Sequence, residues 1–234
     1  MKNTRLIASL GLIAALLATG PALARDDKNN PNKPATGTQT PDTGTKSGKK
    51  ADKKAEKKAE KHDAAAKVGS PAPAFTLKDT NGKDVSLADY KGKVVVLEWM
   101  NSDCPVCAGK MKDKSVPNMV TEAKGINSDV VFLFIDSTAA HASNPTGSGE
   151  YLKANGVTAT ALMDGDGTVG HLYGARTTPH CFVIDDKGVL VYEGAIDDQK
   201  GTNYVVNAVK ALKEGKAVTP SQTKSYGCNV KYKS

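Results

Sequence analysis

The run Val94-Val95-Val96-Leu97-Glu98-Trp99-Met100-Asn101-Ser102-Asp103-Cys104-Pro105-Val106-Cys107 leaves its surroundings few ways to fold. Val94–Met100 is apolar and β-branched, the pattern of a strand buried on both faces. A short polar turn follows, and Cys104-Pro105-Val106-Cys107 opens a segment of helical character. At a helix start the first thiol meets unpaired backbone N–H groups and the positive end of the helix dipole, and both favour its thiolate. Pro105 suits the first helical position, where its missing N–H would have no partner anyway. The second thiol lies one turn on, within reach of a mixed disulfide formed by the first. The chemistry this spacing suggests is thiol–disulfide exchange. Half a zinc site is the competing reading, but no second Cys-x-x-Cys or His pair follows. A purely structural disulfide would be unusual at so close a spacing.

Not all 234 residues can belong to one core. Lys2 and Arg5 precede the apolar run Leu6–Ala18, and Ala22-Leu23-Ala24 follows it. That is the layout of a secretory signal peptide over residues 1–24, cleaved after Ala24. The alternative is an uncleaved anchor, although the apolar run falls short of the ~20 residues of a comfortable span. Export to the periplasm is the expectation, and there thiols pair unless something keeps them reduced. The net charge of +7 resides wholly in residues 1–67, because residues 68–234 carry equal numbers of acidic and basic side chains. A domain without a basic face of its own argues against nucleic-acid binding.

Residues 25–67 read as a linker. The first part is rich in Asn, Pro, Thr, Gly and Lys with no hydrophobic period, the composition of a disordered tether. From Ala51 to His62 a four-residue Ala/Glu/Lys repeat suggests a semi-rigid solvated helix, with Lys53/Glu56 and Lys57/Glu60 as helical pairs. Its lysines could instead touch an anionic envelope surface.

A single domain is expected over residues 68–216, with a tail over 217–234 that carries Cys228. Phe75–Leu77, Val94–Met100, Asp129–Ser137 and Ala161–Met163 read as strands. Phe182–Asp185 and Val189–Glu193 flank Asp186-Lys187-Gly188 as a hairpin. Glu150–Asn155 and Asn203–Lys213 read as helices, the latter with Val205, Val206, Val209 and Leu212 on one face. Residues 139–148 read as a loop, and Asp164-Gly165-Asp166-Gly167 as a turn that fails as a calcium loop because Ala175 stands where a bidentate acid is needed. The fold class is α/β, a mixed central sheet flanked by helices.

This pattern resembles the thioredoxin fold, in its redoxin branch of exported thioredoxin-like and peroxiredoxin-like proteins. The resemblance covers about residues 68–216. It rests on Cys104-Pro105-Val106-Cys107 after its strand, on Arg176-Thr177-Thr178-Pro179-His180 before the final hairpin, and on Tyr192-Glu193-Gly194-Ala195-Ile196-Asp197-Asp198 with the following helix and Gly227-Cys228. It implies Cys104 as the attacking thiolate, Cys107 as the resolving thiol, and a cis Pro179 facing the pair. Thr178 would offer its backbone to a substrate chain. Glu98 stands where thioredoxins keep a buried acid, whose raised pKa would let it relay the proton of Cys107. The alternative for Glu98 is an edge acid reaching solvent. Implied partners are protein disulfides or dithiols and a redox partner protein, with no cofactor and no metal.

The sequence departs from the family pattern in one place. Asp103 replaces the family's tryptophan before the first cysteine, and an acid there should oppose thiolate formation. A peroxidase resemblance fails in register, because Asn101 and Leu97 stand where a peroxide site needs hydroxyl and proline, and Arg176 is out of step. Three accessory residues remain. A charged imidazole at His180 could stabilise the thiolate. With the dithiol it could also suggest Cu(I) binding. Cys181 reads as a core thiol, and Cys228 could either pair with it or act as a second resolving cysteine. His141 and His171 have no motif partners and read as surface or core-edge side chains.

Overall fold

The computed structural model describes residues 65–233. The signal peptide expected over residues 1–24 and residues 25–64 of the expected linker lie outside the described residues. Among the described residues no helix is long and apolar enough to cross a membrane.

In chain order the elements are β1 (Thr76–Asp79), β2 (Asp84–Ser86), β3 (Val95–Trp99), α1 (Pro105–Lys112), α2 (Ser115–Ile126), β4 (Val131–Asp136), α3 (Gly147–Ala154), β5 (Thr160–Met163), α4 (Thr168–Tyr173), β6 (Thr177–Thr178), β7 (His180–Ile184), β8 (Leu190–Gly194), α5 (Tyr204–Lys213) and β9 (Cys228–Asn229). Seven strands form one sheet in the order β2-β1-β5-β4-β3-β7-β8. β3 lies at its heart, parallel to β4 and antiparallel to β7.

Every residue of β3 is buried, because both faces of the sheet are covered. Side chains alternate across a strand, so β3 serves two cores. Val96 and Met100 join Phe134, Cys181 and Val183 beneath α2 and α5, through Val116, Met119, Val120, Val205 and Val209. Val95, Leu97 and Trp99 join Leu133, Ile135, Phe182 and Ile184 on the other face, with Val169 and Tyr173 of α4. Each such large apolar side chain contributes roughly 1.5–3 kcal/mol on full burial. Trp99 adds a hydrogen bond from Nε1 to Ser137 Oγ at 3.0 Å, so its one polar atom is satisfied.

Three departures from the sequence reading bear on the site. The turn at Asp164–Gly167 is present, with Gly167 N–H donating to Asp164 O at 2.8 Å, but the sequence reading does not include the helix α4 that follows it. Asp164 accepts the backbone N–H groups of Val169 at 3.0 Å and Gly170 at 2.8 Å and so nucleates α4. The supposed loop 139–148 holds a 3-10 turn over Ala139–Ser143 and the start of α3. The tail does not trail away. Glu193 N–H donates to Ser221 O and Thr223 N–H donates to Glu193 O, each at 3.1 Å, Val230 N–H donates to Arg176 O at 3.1 Å, and Ala139 N–H donates to Lys231 O at 3.0 Å. Tyr232 stacks on His171 with centroids 4.0 Å apart, and its hydroxyl donates to Ala175 O at 2.7 Å. The tail thus wraps the edge of the domain where β6 and β9 pair.

Candidate functional site

Cys104 caps the N-terminus of α1, in extended conformation, with Pro105 at the first helical position. The turn before it is held by Asn101, whose side-chain oxygen accepts Asp103 N–H at 2.7 Å and whose carbonyl accepts Cys104 N–H at 3.1 Å. Cys104 is 2% exposed. Its Sγ lies 3.1 Å from Thr178 O, across from the cis Thr178–Pro179 peptide. The Cys107 side chain, also buried, faces it from one helical turn on.

The electrostatics separate the two thiols. A hydrogen bond from Cys107 is the foremost cause holding the Cys104 thiol well below the usual cysteine range; burial opposes it, and Cys228, Thr178 and the Cys107 backbone N–H add to the lowering. The same contact with Cys104, then burial, pushes Cys107 far up. The two thiols are pushed in opposite directions, Cys104 towards its thiolate and Cys107 towards its thiol.

Glu98 sits on the dithiol face of β3, opposite Cys181 of β7 and Phe134 of β4. It is 2% exposed, burial pushes its carboxyl up to about 8, and its Oε2 has no hydrogen-bond partner among the described residues. The residue is therefore no edge acid. Its charge, when present, raises Cys107.

Two expectations about neighbouring charge need correction. Asp103 does not face Cys104. Its carboxylate turns to His141, with Nε2 at 3.0 Å, and His141 Nδ1 lies 2.7 Å from the buried Asp136. Ser148 Oγ donates to the same Asp136 oxygen at 2.6 Å. Burial alone would lower His141, but the hydrogen bonds to Asp136 and Asp103 outweigh it and leave the imidazole raised. Its charge offsets the acid that would otherwise stand beside Cys104.

His180, by contrast, is no charged neighbour of the thiolate. Pairing with Trp99 turns it to the opposite face of the sheet, where its ring packs on Phe182 at 4.5 Å. Burial first, then Arg176, lowers it to about 4. Its Nδ1 accepts the Arg176 N–H at 3.3 Å, which a protonated ring could not do.

Cys181 is fully buried at the centre of the dithiol-face core, and burial pushes its thiol well up. A Cys181–Cys228 pair is not the arrangement found, because Cys228 lies against Cys104 instead. Among the described residues no group of three or more His, Cys, Asp or Glu side chains is arranged to hold a metal ion.

The His141 bridge makes a prediction of its own. The folded-state value is raised, so its stabilising contribution is complete below the unfolded histidine range and is lost as pH rises through the folded value. Replacing His141 with Asn is expected to destabilise the fold by about 1.5–3 kcal/mol at pH 6, and by less at pH 9. Urea midpoints across that range read it directly. A deficit that does not shrink with pH would mean the imidazole acts only by packing.

A cysteine at a helix start whose thiol is held below its usual range, with a buried partner thiol behind it and a cis-proline across from it, defines a thioredoxin-fold dithiol protein. Comparison with known proteins narrows the class: the Redoxin family model matches residues 67–212, and the chain belongs to that family. It is 31% identical over 126 residues to the thiol-disulfide oxidoreductase ResA of Bacillus subtilis strain 168, covering 53% of this chain and 64% of that protein. It is 30% identical over 162 residues to the chloroplastic peroxiredoxin Q of Suaeda salsa, covering 64% of this chain and 70% of that protein. Among solved structures, a hypothetical protein of Sinorhizobium meliloti 1021 superposes with a TM-score of 0.60 at 26% identity, over 73% of this chain and 97% of that one. An uncharacterised conserved protein of Geobacillus kaustophilus gives the same TM-score and identity over 71% of this chain and 93% of that one.

Proposed function

We propose that the chain is an exported thiol–disulfide oxidoreductase that exchanges the Cys104/Cys107 disulfide with partner proteins. The observation that carries this reading is the placement of the two cysteines, Cys104 at the helix start with Sγ 3.1 Å from Thr178 O and its thiol lowered by Cys107, and Cys107 buried one turn behind it. In the reductive direction the Cys104 thiolate attacks a substrate disulfide and expels one substrate sulfur as thiolate. Cys107 then loses its proton to Glu98 in the minority of molecules whose carboxyl, raised to about 8, is ionised at neutral pH, and attacks Cys104 Sγ, which expels the second substrate sulfur and leaves a Cys104–Cys107 disulfide. A proton carrier near 8 is well matched to this duty at neutral pH. A donor dithiol returns the pair to its starting state. Thr178, with its backbone at the active sulfur and Pro179 beside it, supplies the docking edge for a substrate chain. Export is supported by the signal-like residues 1–24.

The 30% identity to a peroxiredoxin Q favours a second reading, a thiol peroxidase. The site argues against it, since Arg176 is exposed and engages His180 through its backbone. A single comparison separates them. With a dithiol donor, the purified protein is expected to reduce insulin disulfides, while stopped-flow mixing of reduced protein with hydrogen peroxide gives only slow oxidation. Rapid sulfenate formation without insulin reduction would replace the first reading by the second.

A further inference from the structure

β9 occupies the edge at which a substrate strand would dock. It pairs antiparallel with β6, Cys228 opposite Thr178 and Asn229 opposite Thr177. Thr178 is the residue whose carbonyl lies 3.1 Å from Cys104 Sγ, so the pairing brings Cys228 to the open side of the active sulfur. The approach is made possible by Gly227, at φ +128, since a Cβ there would stand 2.2 Å from Thr178 O. The strand is pinned on either side. Tyr226 OH donates to Asp197, which also holds Lys110 of α1 at 2.6 Å, and Tyr232 is locked on Ala175 and His171. Cys228 itself is only half-buried. Cys104 therefore has two thiol neighbours, Cys107 from below and Cys228 from the docking side.

We infer that Cys228 is a third redox-active cysteine, which attacks Cys104 Sγ and forms a Cys104–Cys228 disulfide. This rests on the reading of Cys104 as the exchange nucleophile. From a mixed disulfide, the Cys228 thiolate bonds to Cys104 Sγ and the substrate sulfur leaves as thiolate, the Cys228 proton having passed to solvent. Cys107 can then displace Cys228, returning the disulfide to the Cys104–Cys107 position with no net change in electrons. The timing is self-regulating. In the reduced protein the Cys104 thiolate holds the Cys228 proton, and that contact foremost, with burial second, raises Cys228. Once Cys104 is in a disulfide its charge is gone, and Cys228 is released to ionise. Because the tail fills the docking edge, an arriving chain must displace β9, and its departure is coupled to the return of Cys228.

The test uses the full chain with Cys107→Ser, and with Cys107→Ser/Cys228→Ser, each reduced and then treated with excess glutathione disulfide. Glutathione first bonds to Cys104 in both. The single variant is expected to expel it and end two hydrogens lighter than its reduced form, with a Cys104–Cys228 linked peptide on digestion and at least about tenfold less bound glutathione than the double variant. Retention of glutathione by both variants alike, or a Cys104–Cys181 link, overturns the inference while leaving Cys104 as nucleophile. Failure of both to take up glutathione overturns the nucleophile reading itself, and the inference with it. Should Cys107→Ser not fold, wild-type protein partly oxidised with glutathione disulfide, acid-quenched and digested reads the same partition. The Cys104–Cys228 peptide is expected there as a minor species beside Cys104–Cys107, and its absence overturns the inference.

Discussion

Cys104→Ser is expected to lower disulfide exchange by on the order of a thousandfold or more, because a hydroxyl neither ionises at neutral pH nor forms a displaceable bond to sulfur. The effect is chemical rather than structural. The side chain is small and sits at a helix cap, where serine is well tolerated, so stability should change little. Insulin reduction with a dithiol donor measures the loss, and a thermal melt checks that the fold survives. The remaining thiols offer no substitute. Cys107 and Cys181 are sealed in the core, and Cys228, half-buried, is left without the Cys104 sulfur with which it would form a disulfide. A Cys104→Ser protein that retained full activity would end the proposed mechanism.

The second large effect is expected at Glu98, and it runs in opposite directions for stability and for chemistry. A carboxyl raised to about 8 in the folded protein stays protonated while the unfolded chain has already released its proton. The folded state binds more protons across that interval, so stability falls as pH rises from the ordinary glutamate range to about 8 and is flat on either side. At roughly 1.4 kcal/mol per pH unit, the accumulated penalty near pH 7 is about 3 kcal/mol, an order-of-magnitude figure. Glu98→Gln removes the ionisation. The variant is expected to match wild type near pH 4 and to exceed it by about that amount near pH 7, as read from denaturant midpoints at the two pH values. Resolution of the mixed disulfide should slow by about 10²–10⁴-fold, since Cys107 loses its proton acceptor. Stopped-flow release of substrate thiol separates this step from the first attack, which should be unaffected. Equal pH slopes for variant and wild type would show that Glu98 is not the buried acid described.

Much of this was legible from local pattern. The apolar run before Cys104 could only be a doubly covered strand, and the cysteines after it had to fall at a helix start. The hairpin around Lys187-Gly188 and the helix with Val205, Val206 and Val209 on one face follow from turn chemistry and period alone. What was hidden depends on partners far along the chain. Nothing near His141 announces that Asp103 and Asp136 will close on it from two different strand ends. The sequence showed the turn at Asp164–Gly167 but not the helix after it, which depends on the Asp164 side chain folding forward onto two backbone N–H groups. The misplaced charge on His180 has the plainest cause. Adjacency to Pro179 in sequence says nothing about which side of the sheet a side chain takes, and the pairing with Trp99 settles that. For Cys228 the sequence left two partners open, Cys181 or the active pair, and its place beside Cys104 follows from β9 meeting β6 across some fifty residues.

The alternation along β3 has a further consequence. Glu98 and Trp99 are adjacent in the chain yet belong to different jobs, proton handling on one side and aromatic packing on the other. A slip of one position in the pairing with β4 and β7 would exchange them, driving an acid among Tyr173 and Phe182 and an indole beneath the thiols. An insertion or deletion between Lys93 and Asn101 would thus cost the molecule its fold and its reactivity together.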